Sequence, residues 1–323
     1  MTTLFFLATL LAQAPQPNGA GLEPGTLPAR WSTGGPRCME SPDFFIHEYN
    51  PHFFILRESG CTHYEKPFLF LVFGQTRALL VDTGAGKTDL APLIDRLLTQ
   101  WSERHQRPKP ALLIAHTHNH GDHKSRDSQF TSRPATEVIP AQVPAIQKAF
   151  GITTWPTSPG QLDLGDRTLD VLGMPGHDAA ALVFYDRRTG ILLTGDNLYP
   201  GRLYIRDWPT YAASTARLVA FAEEHLVSHL LGNHIEQTAT PFLEYPIGSI
   251  YQPNEHPLEL TRAHLLELHH ALTRQNGVPA RLALRDFTIF PSTPESNAEL
   301  RQVGPETERR QRATQYAQPP SQR

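Results

Sequence analysis

The stretch Thr117-His118-Asn119-His120-Gly121-Asp122-His123 places three imidazoles and one carboxylate within six positions. Those side chains bind borderline metals such as zinc. Ordering so many ionisable groups together is costly unless a cation sits among them. Three more residues of the same types follow: His177 in Pro175-Gly176-His177, Asp196 in Gly195-Asp196, and His234 in Gly232-Asn233-His234. The two cysteines, Cys38 and Cys61, form no CxxC pair, which excludes a thiolate zinc site.

Something must hold these residues together, and the hydrophobic pattern says what. Each candidate ligand follows a short apolar run and neighbours a glycine, as loops at strand ends do. Strands are expected at 53–56, 68–73 and 78–81, with a hairpin turn at 74–76. Residue 111 opens a five-residue apolar strand that runs straight into the histidine cluster. Later strands are expected at 162–164, 168–172, 181–185, 191–194, 229–232 and 281–289. Helical spacing of Leu90, Leu93, Ile94, Leu97, Leu98 and Trp101 predicts a helix with Pro92 in its first turn. Two more helices are expected over 210–226 and 258–275. Strand meanders interleaved with helices indicate a layered α/β (α+β) domain over residues 38–290, its sheets covered by helices.

The order HxHxDH, then His, then Asp, then His resembles the metallo-β-lactamase fold superfamily. Asp82-Thr83-Gly84 and Thr194-Gly195-Asp196 are similar to that family's pattern too. The resemblance implies a four-layer αβ/βα sandwich of two mixed sheets flanked by helices, with two metals in a cleft. It implies that His118, His120 and His177 hold the first metal, that Asp122, His123 and His234 hold the second, and that Asp196 bridges them. The family's aspartate stands four residues after its first histidine, which fits His118 and leaves His116 outside the ligand set. The cofactors implied are two zinc ions, with manganese or iron as alternatives at such N/O sites. Two such ions lower the pKa of water from about 16 to about 7 and polarise a carbonyl or phosphoryl oxygen. Asp122 is also placed to take up a proton as the leaving group departs.

Asp196 resembles the bridging aspartate of glyoxalase II and acyl-homoserine lactonases, which several antibiotic-degrading relatives lack. His120 stands where a glutamate would suggest the di-iron redox relatives. Tyr199, three residues after Asp196, resembles the lactonase tyrosine that stabilises an oxyanion; a tyrosine packed under the loop is the other reading. Arg202, Tyr204 and Arg206 follow in a loop that either borders the cleft and binds an anionic substrate group or is simply solvated. The segment from His234 to Pro253 departs from the basic tail expected of a glyoxalase II.

Composition narrows the rest. The 323 residues carry 29 basic and 32 acidic side chains, net −3, without the basic patch a phosphate backbone needs, so nucleic acid is not an expected partner. Residues 4–11 form an apolar run followed by Ala12-Gln13-Ala14, which reads as a cleaved export signal over 1–14 and is too short to span a membrane. Periplasmic or extracellular location is expected, with the cytoplasm as the alternative and no stable membrane association. Cys38 and Cys61 are either free thiols or, in an exported chain, a disulfide. Residues 15–37 read as a flexible linker and 291–323 as a disordered tail. The expected function is hydrolysis of an ester, thioester, lactone or amide of a small molecule by a metal-bound hydroxide. A phosphodiesterase or phosphocholine esterase on the same site is the enzymatic alternative, and a metal-binding or degenerate fold member without turnover the non-enzymatic one. No oligomeric state is legible.

Overall fold

The computed structural model describes residues 21–33, 38 and 41–317. The leader read at 1–14 and part of the linker lie outside the described residues. Six strands form the first sheet in chain order: β1 (Phe44–Asn50), β2 (Phe53–Glu58), β3 (Phe68–Phe73), β4 (Arg77–Val81), β5 (Ala111–Ala115) and β6 (Thr136–Val138). Helix α1 (Ala91–His105) connects β4 to β5, which pair in parallel as a helical crossover requires. A short α2 (Gly121–Lys124) lies between β5 and β6, and α3 (Val143–Phe150) follows β6.

The second sheet uses β7 (Gly160–Asp163), β8 (Thr168–Gly173), β9 (Leu182–Asp186), β10 (Ile191–Gly195), β12 (His229–Gly232) and β13 (Glu259–Leu260). Its pairs are antiparallel except β10–β12, which are joined through α4 (Trp208–Glu224) and run parallel. A small third sheet has the order β11 (Arg202–Ile205), β15 (Thr288–Pro291), β14 (Leu282–Ala283). Helix α5 (Arg262–Arg274) precedes the β14–β15 hairpin and α6 (Pro294–Ala317) follows it.

The side-chain alternation of strands builds four layers from this order. In β4, Leu79 and Val81 face Leu169, Val171, Leu182 and Phe184 of the other large sheet. Their neighbours Ala78 and Leu80 face the opposite way, onto Ile94, Leu97, Leu98 and Trp101 of α1. On the far side, Val183, Tyr185, Leu192 and Leu230 pack against Leu218 and Val219 of α4 and Leu265, Leu268 and Leu272 of α5. The architecture is therefore helix, sheet, sheet, helix, as expected. Strand β3 is buried at all six positions, which is why it reads as an unbroken apolar run rather than an alternating one.

Three expectations need correction. The tail beyond Pro291 is not structureless: α6 spans Pro294–Ala317 despite Gly304 and Pro305. Its polarity suggested disorder because its stabilising contacts are tertiary. Gln311 accepts the backbone N–H of Ile250 at 2.7 Å, and Arg312 donates to the carbonyl oxygen of Cys61 at 2.9 Å. The described part of the linker, residues 21–33, lacks regular structure but is docked. Trp31 packs edge-on to Phe68 at 4.9 Å, and the N–H of Thr26 donates to the Tyr49 carbonyl oxygen at 2.9 Å. Residues 202–205, read as loop, are strand β11, paired in parallel with β15. Cys38 and Cys61, left open between two states, are bonded as a disulfide. Among the described residues, no helix is long and apolar enough to cross a membrane.

Candidate metal centre

The site lies where β4, β5, β8, β10 and β12 end. The turn after β10 needs glycine: Gly195 has a φ of 57°, and a Cβ there would sit 2.8 Å from the Thr117 Cβ. That close approach brings Asp196 alongside the histidine cluster. Asp82, just beyond β4, gathers the loops. Its carboxylate accepts the Thr117 N–H and hydroxyl at 2.8 Å each, the Asn233 side-chain amide at 2.8 Å and His123 Nδ1 at 3.0 Å. Three strand ends are thereby tied to one buried group. Arg126 braces the same loops with a buried pair to Glu58 at 2.8 and 3.1 Å and a bond to the Thr83 carbonyl oxygen at 3.1 Å.

Two groups of donor atoms converge. His118 Nε2 lies 2.8 Å from His120 Nδ1, and His177 Nε2 lies 3.3 and 3.1 Å from these two. In the second group, His123 Nε2 lies 3.4 Å from His234 Nε2, and Asp122 Oδ2 lies 3.2 and 3.4 Å from them. Asp196 spans both. Its Oδ2 is 3.8 Å from His118 Nε2 and 3.6 Å from His177 Nε2, while its Oδ1 is 3.5 Å from His234 Nε2. All seven sequence-predicted ligands are thus brought together. His116 is not among them: its Nε2 faces Asp127 at 3.1 Å and its Nδ1 faces the His123 carbonyl at 3.2 Å.

The donor set fits metal ions. Ligands about 2.0–2.1 Å from a tetrahedral zinc stand about 3.3–3.4 Å apart, close to the spacings here. Buried Asp196 Oδ1, which faces the second group, has no hydrogen-bond partner. The outward nitrogens of His177 and His234, by contrast, are held. His177 Nδ1 meets the Tyr204 carbonyl oxygen at 2.6 Å, and His234 Nδ1 meets that of Glu65 at 3.0 Å. Donation from Nδ1 leaves the Nε2 lone pairs turned inward, as ligation requires.

The two groups differ electrostatically. Burial, reinforced by neighbouring imidazoles, pushes His118 and His177 down and His120 down to about 4. These three stay neutral, with lone pairs free. Burial also opposes charge on His123 and His234, but the carboxylates of Asp122 and Asp196 outweigh it. They raise His123 well above its usual value and His234 to about 9.

The remaining predicted residues separate. Tyr199 is 1% exposed, and its hydroxyl donates to the Arg202 carbonyl oxygen. It packs edge-on to His234 at 5.6 Å and belongs to the wall under the loop, not to the set of free donors. Arg202 is 3% exposed and pairs with Glu236 and Glu244 at 3.0 Å each, so its charge is compensated. Tyr204 lines the cavity, and its hydroxyl makes a long 3.4 Å contact to Glu236 beside Arg202. Arg206 is exposed, lines the cavity and forms no ion pair among the described residues.

The cavity above the donors is about 230 Å³. Tyr64, Glu65 and Lys66 from the β2–β3 connection line it, as do Ile247 and Leu300, none of which sequence reasoning singled out. The Lys66 φ of 48° is unusual for a lysine, but no sequence pattern announces it. Its amine donates to the Ser249 carbonyl oxygen at 2.6 Å, and burial pushes its pKa down to about 8.

A family model described as the metallo-beta-lactamase superfamily matches residues 67–268. The acyl-coenzyme A thioesterase MBLAC2 of Homo sapiens is 28% identical over 203 residues, covering 51% of this chain and 72% of that protein. Its Gallus gallus counterpart is 26% identical over 251 residues, covering 66% and 88%. A hydroxyacylglutathione hydrolase of Chelativorans sp. (strain BNC1) is 30% identical over 122 residues, covering 36% of this chain and 47% of that protein. A metallo-beta-lactamase structure from Pontibacter korlensis aligns with a TM-score of 0.47 at 18% identity, covering 72% of this chain and all of that one.

Proposed function

The chain belongs to the metallo-β-lactamase superfamily, and from that premise we propose that it is a binuclear metal-dependent hydrolase of small-molecule thioesters. The observation that carries this reading is Asp196, whose carboxylate lies between two groups of metal-binding donors at the floor of one cavity, Oδ2 3.6 Å from His177 and 3.7 Å from His123, and Oδ1 3.5 Å from His234. The relatives named as an acyl-coenzyme A thioesterase and a hydroxyacylglutathione hydrolase support a thioester over a lactone or amide.

His118, His120 and His177 would hold one ion and Asp122, His123 and His234 the other, with Asp196 between them; zinc is the ion we assign. Bound there, the metals would supply Lewis acidity towards the acyl carbonyl and lower the pKa of water. The protein does the positioning. Asp82 and the carbonyl oxygens of Tyr204 and Glu65 fix the imidazole rings. Burial and Glu236 push the Tyr204 hydroxyl well up, so it stays protonated and can donate to the developing oxyanion. Asp122, 22% exposed at the cavity floor, is placed to accept the proton released when water attacks. Arg206 would meet an anionic group on the thiol carrier.

We also propose an oxidising compartment, periplasmic or extracellular, supported by the Cys38–Cys61 disulfide.

The test is thiol release from S-acyl thioesters of coenzyme A and of glutathione, with the protein as purified and after chelation. Release that stops on chelation and returns with zinc supports the proposal. Turnover only of an ester, lactone, β-lactam or phosphodiester refutes it.

A further inference from the structure

The family match ends at residue 268, yet the cavity wall continues. Leu300 of α6 lines it beside Ile247. The two elements are locked together at their backbones. Gly248 has a φ of 83°, and a Cβ there would fall 2.1 Å from the Gly304 carbonyl oxygen. A Cβ at Gly304 would sit 3.3 Å from the Ile247 side chain. Gln311 then holds the Ile250 N–H at 2.7 Å, so loop and helix form one wall.

The cavity is about 230 Å³, below the roughly 300–1,000 Å³ of sites that enclose drug-sized ligands. That volume suits a short acyl group rather than a whole nucleotide or peptide thiol carrier. The carrier would then stay at the mouth, with Leu300 and Ile247 beside the acyl chain. We infer that Leu300 and Ile247 set the length of the acyl group accepted, and that they favour short chains. This rests on the thioester reading above.

The test compares acetyl and octanoyl thioesters in the wild type, Leu300→Ala and Leu300→Trp, with Ile247→Ala as a second cavity-widening variant. Binding of non-hydrolysable S-alkyl thioether analogues is measured by calorimetry alongside. The wild type should prefer acetyl. Widening should raise the octanoyl-to-acetyl ratio of kcat/KM about tenfold or more, with a parallel shift in binding, and Leu300→Trp should lower it. Folded variants of unchanged metal content whose ratios stay within about twofold of wild type overturn the inference and leave the thioester reading intact. A wild type that prefers octanoyl does the same. A wild type that hydrolyses no thioester overturns both.

Discussion

Asp82 Oδ2 lies 3.0 Å from His123 Nδ1, although 41 residues separate them in the chain. The bond orients an imidazole whose other nitrogen belongs to the second donor group. Replacing the partner that orients a ligand typically weakens metal affinity by about 10–100-fold. Asp82→Ala should therefore weaken the second ion by at least that factor, as read by competition with a chromogenic chelator. Unchanged affinity at the second site would contradict the assignment.

The two groups should also respond differently to pH. His118, His120 and His177 are neutral before metal arrives, because burial and neighbouring charges hold them down. His123, raised well above its usual value, and His234, raised to about 9, carry protons at neutral pH that the second metal must displace. Affinity at the second group should rise with pH, by up to about two decades per unit when two protons leave. Metal content measured after dialysis from pH 8 to pH 6 should fall from two ions to one. Simultaneous loss of both would count against the difference.

The two arginines beside the cavity should separate in their effects. Arg202→Met strands the Glu236 and Glu244 carboxylates and should cost about 3–5 kcal/mol of stability. Arg206→Met breaks no ion pair among the described residues. It should leave the melting temperature unchanged and raise KM for thioesters of anionic carriers. Denaturation curves and steady-state kinetics on both variants check this.

Removing the disulfide tests the frame around the site. Cys61 opens the connection that carries Glu65, whose carbonyl oxygen holds His234. Cys38→Ser with Cys61→Ser should cost about 2–4 kcal/mol, seen in urea denaturation. An unchanged midpoint would mean the connection is held by its other contacts.

The clustering of the candidate ligands was legible because its signals are local. The His118–His123 cluster is contiguous, and His177, Asp196 and His234 each follow an apolar strand. The layers were legible from strand meanders interleaved with helices, and their number from the family resemblance. What could not be read was decided by partners distant in sequence. The neutralisation of Arg202 depends on Glu236 and Glu244, which no spacing connects to it. Helix α6 is polar and contains Gly304 and Pro305, so its own residues argue for disorder. Its contacts to Ile250 and Cys61 exist only in the folded chain.

The most direct measurement is thioester hydrolysis during stepwise addition of zinc to metal-free protein. Activity should rise until about two equivalents are bound, as expected for a site in which two cations act together. Full activity at one equivalent, or none at two, would contradict the account.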